Sequence, residues 1–397
     1  MSNVGRQFPS EMETYIDQKS GRCITKLTQS GDNYHFYFTE NSFTEGDEEI
    51  IYQHSDIPYS EKGSFVNLYA MDLKTGIRTQ LTDFATQFKQ VGGFGFTKSI
   101  DSKVIIFVAD GNLYRLDRGT NNIDQIYLTP KGFRITSLSI SYDKRYVAIT
   151  LNEIPKYYRE FAMSNYDGVI ERFYANKRGM IAVLNADGSN ARIVFQDTHQ
   201  LGHVQFAPDS NEYLVFCHEG PWNLVQQRIW IFNTITRTVE PCFRQKQDDS
   251  VGHEFWTRDG LIFLDNRGPG HDGTITVNKT QATIMPENCE EAIPQIGFVN
   301  RYGKVERTLS LPYYCNHYHA NKDNTLLVGD AVNDLVLMDI SKENPTMEIL
   351  CEHNTSWLSH NVHCHPTWSW SNDKILFASD RDKLGCAQLY MVNMKGE

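Results

Sequence analysis

The sequence repeats itself seven times. In each copy a stretch of apolar and aromatic residues runs into a polar turn and out again into an apolar run. The turns are marked by Asp47, Asp101, Asp143, Asp209, Asp259, Asp323 and Asp373. Their spacing, roughly 40 to 65 residues, is that of a blade-like repeat. Each copy has a second half, an apolar strand followed by a polar turn and another strand, as in residues 67–76, 112–117 and 228–233. Alternation of period two around Asp, Thr and Gly turns is the signal of a hairpin. Two hairpins make a four-stranded sheet, which cannot cover both of its own faces. Seven such sheets stacked radially bury those faces, so the expected fold is all-β, a seven-bladed β-propeller of four-stranded blades.

The two ends of the chain support closure. The last copy stops one strand short, at residues 388–393, while residues 24–28 near the start resemble the fourth strand of the first copy at residues 79–82. The N-terminal strand is therefore expected to complete the last blade and leave no open edge. A chain of 397 residues would ordinarily divide into domains. Closure of the repeats instead predicts one domain over residues 1–397. A pair of β-sandwiches also has short, regularly spaced strands, but accounts less well for complementary termini. Residues 282–294, with Glu287, Glu290 and Glu291, read as an acidic surface insertion.

A formal net charge of −11 argues against a nucleic-acid partner, because phosphate neutralisation needs clustered Lys and Arg. No run of apolar residues is long enough to span a membrane, and the first residues lack the apolar core of a secretory signal. The eight cysteines are scattered without a CxxC pair and read as reduced thiols, which places the protein in the cytoplasm.

The histidines are unevenly placed. His203, His253 and His317 each lie six residues before the turn aspartate of their copy, where the first three copies carry Asn41, Gly95 and Ser137 and the seventh carries Thr367. Just upstream of Thr367 lie His360, His363 and His365. His363 and His365 are two apart and would share one face of a strand. The strand entering each blade lies nearest the central channel, so these rings are expected to converge there. Neutral imidazoles from separate strands can hold a divalent metal. The expected ligands are His317, His360, His363 and His365, with His319 the rival to His317. Arg228, Arg267, Arg381 and Lys383 are candidates for binding carboxylate, since guanidinium matches it bidentately. His203, His218 and His271 join Arg267 and Arg381 as expected substrate contacts. No Gly-x-Ser-x-Gly elbow and no phosphate-binding loop occurs. The Gly-rich stretch 266–273 reads as a loop at a blade end.

Taken together, Cys217-His218-Glu219-Gly220-Pro221-Trp222, Gln227-Arg228-Ile229-Trp230, Gly252-His253-Glu254-Phe255-Trp256 and His363-x-His365-Pro366 resemble the oligogalacturonate lyases across nearly the whole chain. The resemblance implies a cytoplasmic seven-bladed propeller that binds Mn²⁺ and cleaves short galacturonate oligomers, chiefly dimers, by β-elimination to 5-keto-4-deoxyuronate and galacturonate. It implies that His253 is the catalytic base, Arg228 an active-site arginine, and His317, His363 and His365 metal ligands. The family's fourth ligand is a Gln three residues before the His-x-His pair. That position is His360 here, or Asn361 if a small gap intervenes. The chemistry suits these residues. The C5 proton of a uronate lies next to the carboxylate, and its removal builds negative charge that a Lewis acid and an arginine stabilise. A base must be neutral, as histidine mostly is near pH 7. Two other classes fit a propeller: a noncatalytic module that binds protein or peptide, and a metal-dependent hydrolase or lactonase. Clustered histidines in copies four to seven weigh against the first.

Overall fold

A computed structural model describes residues 2–58, 65–155, 169–269, 271, 273–275, 294–359 and 362–395. The acidic stretch 282–294 lies outside the described residues apart from Pro294. The fold is all-β. Seven antiparallel sheets of four or five strands follow one another along the chain, the blades that the repeat predicts for a seven-bladed propeller. Among the described residues helix amounts to Val169–Ala175, a 3-10 turn at Phe84–Thr86 and a single 3-10 residue at Val362. No described helix is long and apolar enough to cross a membrane.

Contacts group the chain into two compact units. One holds the described parts of 1–94 and 313–397 with residue 275, the other those of 95–274 and 294–312. Within the second unit the sheets pack in chain order. Leu138, Val147 and Ile149 of the third sheet meet Val104, Ile106 and Leu113 of the second. Phe206, Leu214 and Phe216 of the fourth meet Ala148 and Ile181 of the third. Val251, Ile262 and Leu264 of the fifth meet Val215 and Ile229 of the fourth. Within the first unit, the seventh sheet packs on the sixth through Trp368 and Phe377 against Val328 and Leu335, and on the first through Leu376 and Leu389 against Ile50 and Tyr52. The middle strands are covered on both faces and are accordingly apolar at nearly every position, as in Val104–Ala109 and Lys374–Ser379. The outer strands alternate polar and exposed residues, as in Val305–Ser310.

The N-terminal segment completes the seventh sheet as expected. Strand Cys23–Lys26 pairs with Gln388–Asn393, with Ile24 opposite Val392 and Lys26 opposite Tyr390. A further strand, Glu13–Ile16, adds a fifth member outside it. Strand Gln7–Phe8 then caps the outer edge of the first sheet by pairing with Arg78–Gln80.

The turn that marks each copy has a chemical cause. The hydroxyl of Ser99 donates to Asp101 at 2.7 Å, that of Ser141 to Asp143 at 2.8 Å, and that of Thr257 to Asp259 at 2.5 Å. The backbone N–H of each of these residues closes the hairpin on Val104, Tyr146 and Leu261 respectively. A side-chain carboxylate that satisfies local donors is what favours Asp in such turns.

Candidate functional site

The hairpin closure also defines which residues are equivalent between copies. Besides those three pairs, the N–H of Thr44 meets the carbonyl of Glu49, Asn321 meets Leu326, and Ser369 meets Lys374. Three residues after each closing residue the backbone is left-handed, at Asp47, Ser102, Lys144, Gly260, Asn324 and Asn372. Counted from this frame, the slot occupied by His253 and His317 falls on His365 in the seventh copy, not on Thr367, and on Glu40 in the first copy, not on Asn41. Counting from aspartate misplaces them because in the seventh copy Ser371 takes the usual aspartate position, with Asp373 accepting from Ser369 at 3.0 Å, and in the first copy Gly46 takes it and Asp47 follows one residue later. Four copies thus carry histidine in one slot: His203, His253, His317 and His365.

Three of these four, His203, His253 and His365, have φ of 49°, 41° and 43°. The pairing register shifts between Gly202 and Gln205 and between Gly252 and Phe255, so His203 and His253 sit in bulges. A bulge re-aims a side chain, and a left-handed non-glycine residue costs roughly 1–3 kcal/mol that the surrounding packing must offset. His363 and His365 are not on a strand, contrary to the expectation from their spacing. They lie in the irregular segment that enters strand Thr367–Trp368.

The site residues fall into two clusters, one in each unit. In the first, His317, His363 and His365 each offer a ring nitrogen, and the three donors lie within 4.8 Å of one another. All three residues are buried. The rings of His317 and His365 have centroids 4.3 Å apart, and His363 lies 5.5 Å from each. Asp330, fully buried at the end of strand Leu326–Asp330, organises them. Its carboxylate accepts from the N–H of His317 at 2.6 Å, meets His317 Nδ1 at 2.8 Å and accepts from the N–H of His365 at 3.3 Å. A carboxylate on Nδ1 leaves metal ligation to Nε2 and fixes the ring's direction. Burial pushes the Asp330 carboxyl up to about 8, against the pull of His353 and the two N–H donors. Tyr37, Phe38 and Trp357 pack against the three rings. Three converging imidazoles with a carboxylate behind one of them are a donor set suited to a divalent transition metal. His319, the rival to His317, is not part of this group; its Nδ1 accepts from the N–H of Trp368 at 3.3 Å. His360 and Asn361 lie outside the described residues.

The second cluster surrounds two buried arginines. Arg228 lies with Nη2 3.6 Å from Glu219 and Nε 3.9 Å from the fully buried Glu254, and Nη1 donates to the carbonyl of His218 at 3.3 Å. His203 bridges the same acids, Nδ1 at 2.9 Å from Glu254 and Nε2 at 3.2 Å from Glu219. Burial works against charge on His203, but Glu254 and Glu219 outweigh it and hold its pKa above the usual value. Burial likewise opposes ionisation of Glu219, yet Arg228 and His203 keep its pKa below the ordinary range. Arg267 donates from Nε to Asp265 at 3.0 Å, and its Nη2 lies 3.0 Å from His253 Nδ1. Burial pushes the Asp265 carboxyl up to about 7, with Arg267 pulling the other way. Trp222 joins these groups. The guanidinium of Arg267 lies 4.3 Å from its ring centroid, that of Arg228 5.4 Å, and His253 meets it edge-on at 5.0 Å. His271 lies 6.2 Å from the same indole, its Nδ1 accepting from the N–H of Gly273 at 3.0 Å. His218 stacks on His199 at 4.2 Å and contacts Asp197 at 3.2 Å; burial first, then His199, lowers its pKa to about 4.

Two expected carboxylate binders stand apart from both clusters. Arg381 donates to Tyr15 Oη at 2.9 Å and to the carbonyl of Glu352 at 2.7 Å, which ties the outermost N-terminal strand to the sixth sheet. Lys383 is exposed in the turn after Asp380. Asp330 and Asp265 were not singled out in the sequence, and Glu219, Trp222 and Glu254 stood there only within family motifs, without a role of their own. The available signal was a carboxylate ending an otherwise apolar strand, as in Ile262–Asn266 and Leu326–Asp330, where a buried acid requires a partner.

The chain is similar to known proteins along nearly its whole length. The "Oligogalacturonide lyase" of Pectobacterium atrosepticum and the "Oligogalacturonate lyase" of Dickeya dadantii are each 25% identical to this chain, the match covering 98% of both chains in each pair. A solved structure described as "Oligogalacturonate lyase in complex with manganese" superposes with a TM-score of 0.81 at 22% identity, covering 98% of each chain, and shares the fold. The family profile described as oligogalacturonate lyase matches residues 2–396, and the chain therefore belongs to the oligogalacturonate lyase family.

Proposed function

We propose that this protein is a metal-dependent lyase that cleaves short galacturonate oligomers, digalacturonate foremost, by β-elimination. The observation that carries the reading is the convergence of three buried histidine donors, one of them oriented by Asp330, in a chain of this family. His317, His363 and His365 would hold a divalent cation, with His360 or Asn361 proposed as a fourth ligand. We take manganese as that cation because the solved relative holds it. A bound divalent ion supplies Lewis-acid stabilisation of charge developing on a uronate carboxylate.

The remaining work falls to the chain's own side chains. His253 is the proposed base: the C5–H bond breaks, its electron pair enters the carboxylate-stabilised carbanion, and the proton passes to the imidazole. The pair then forms the C4=C5 double bond as the C4–O bond breaks, and the departing sugar oxygen takes a proton from solvent. The products are a saturated galacturonate and a 4,5-unsaturated uronate that rearranges to 5-keto-4-deoxyuronate. Arg228, held by Glu219 and Glu254, presents fixed positive charge to an anionic substrate without reorganising at the moment of reaction. Trp222 offers an apolar surface between the two arginines. We place the reaction in the cytoplasm, a reading supported by the seven described cysteines, which are thiols and not disulfides.

The test is digalacturonate turnover followed by the absorbance of the unsaturated product, with and without a chelator. Chelated protein should be inactive and recover with added Mn²⁺. Turnover without unsaturated product would refute elimination, and undiminished turnover after chelation would refute the metal.

A further inference from the structure

We infer that Arg267 is a positioning residue that holds His253 neutral and protonated on Nε2, and that it releases the ring for proton abstraction only when a uronate carboxylate takes over the guanidinium's hydrogen bond. This rests on the reading of His253 as the base.

A guanidinium has only donors. Its Nη2 lies 3.0 Å from His253 Nδ1, so Nδ1 must be the acceptor. The ring is then neutral, with its single proton on Nε2. An imidazolium would set an N–H against the N–H of a second cation. The arginine is not free to drift. Its Nε donates to Asp265 at 3.0 Å, its Nη1 to the carbonyl of Thr274 at 3.4 Å, and its face rests on Trp222. Trp222 is itself wedged. A Cβ on Gly252 would come within 2.0 Å of the indole, and one on Gly273 within 2.4 Å. Among the described residues, the other charged and titratable groups near His253 have partners of their own: Asp265 lies 4.0 Å from Nδ1 and pairs with Arg267, Glu254 contacts His203 and Arg228, and Arg228 and His271 contact Trp222.

The consequence is chemical. Nε2 carries a proton and cannot accept another. The one lone pair that could take the C5 proton is on Nδ1, where Arg267 occupies it. A carboxylate is the better acceptor for a guanidinium, because a charge-assisted bond is roughly twice as strong as one to a neutral group. When a uronate carboxylate takes the Nη2 hydrogen bond, Nδ1 is freed, the C5–H pair moves into the substrate, and the proton forms the imidazolium. Recognition of the substrate's acid and activation of the base become one event. A neutral sugar of the same shape leaves the base blocked.

The test is ¹⁵N-histidine NMR, with the His253 signals identified by their loss in His253→Gln. Free protein should show His253 protonated on Nε2 and not on Nδ1. Saturation with monomeric galacturonate should shift the Nδ1 resonance, and galactose should not. A ring protonated on Nδ1, or an Nδ1 signal unmoved by saturating galacturonate, overturns the proposal. For Arg267→Met, and for Arg267→Met combined with Asp265→Asn so that no acid is left unpaired, the acid limb of kcat/KM on digalacturonate should move up by about one pH unit, because losing the adjacent cation raises the imidazole pKa. KM should rise as well. An unmoved limb in both variants would also overturn it. Failure of the base assignment is distinguishable: His253→Ala would then keep near wild-type kcat while the NMR tautomer stands as described.

Discussion

Replacing Asp330 by Asn should weaken Mn²⁺ binding through the tautomer of a residue that Asn does not itself remove. The N–H of His317 meets Oδ1 of Asp330 at 2.6 Å and must keep an acceptor, so the amide oxygen of the variant takes that place. The amide nitrogen then falls where Oδ2 meets His317 Nδ1 at 2.8 Å. An amide N–H donates, so Nδ1 becomes the acceptor and the ring proton moves to Nε2, the nitrogen needed for the metal. Loss of an orienting partner of this kind costs about 10- to 100-fold in metal affinity, or about 1.4–2.7 kcal/mol. The N–H of His365, 3.3 Å from Oδ2, loses its acceptor and places the effect toward the upper end. The fold should survive, because asparagine has the same shape and its amide oxygen keeps the hydrogen bond from the N–H of His317. Calorimetric titration of metal-free protein with Mn²⁺ measures the affinity, and a thermal melt without metal checks the fold. A variant that melts normally and binds Mn²⁺ as tightly as wild type would refute the orienting role of Asp330.

Further outcomes follow from the same structure. Alanine at His363 or at His365 should abolish stoichiometric metal by elemental analysis with little change in the circular dichroism spectrum, whereas alanine at His253 should keep the metal and lower kcat by about 10²–10⁴, the usual share of a general base. Gly252→Ala should force Trp222 from its seat and destabilise by about 1–3 kcal/mol in denaturant titration, with lowered activity, since a Cβ there lies 2.0 Å from the indole; wild-type stability would show that Trp222 is loosely held. Deleting residues 1–30 removes strand Cys23–Lys26 together with the fully buried Ile24 and Leu27. At about 1.5–3 kcal/mol for each side chain the loss is comparable with net stability, so the truncated protein should be insoluble or melt far lower. The reading of residues 1–397 as one domain is checked by calorimetry of the intact protein, where two separate transitions would show that the two units fold independently.

The repeat made the architecture legible before any coordinate was known. Strand pattern and turn chemistry are local: an apolar run of period two needs a partner strand, and an Asp that accepts from Ser99, Ser141 or Thr257 closes a hairpin wherever it occurs. The seam was legible for the same reason, because a last copy one strand short and a spare strand at residues 24–28 answer each other. Which histidines mattered was legible in part. His317, His363 and His365 stood out by spacing and family pattern, and they do come together. Their equivalence was misread at the seventh copy, since Ser371 stands where most of the turns place Asp and only the pairing of Ser369 with Lys374 reveals the offset. Tertiary structure alone decided what holds the functional side chains. Asp330 and Asp265 are single acids at the ends of apolar strands, and nothing in linear order says that one faces His317 and the other Arg267. Trp222 could not be distinguished from any core tryptophan until Gly252 and Gly273 were seen against its ring. Periodicity is written along the chain, residue by residue. A hydrogen bond between strands distant in sequence depends on register and on the bulges that turn His203 and His253 out of it, and these are settled only when the sheets pack.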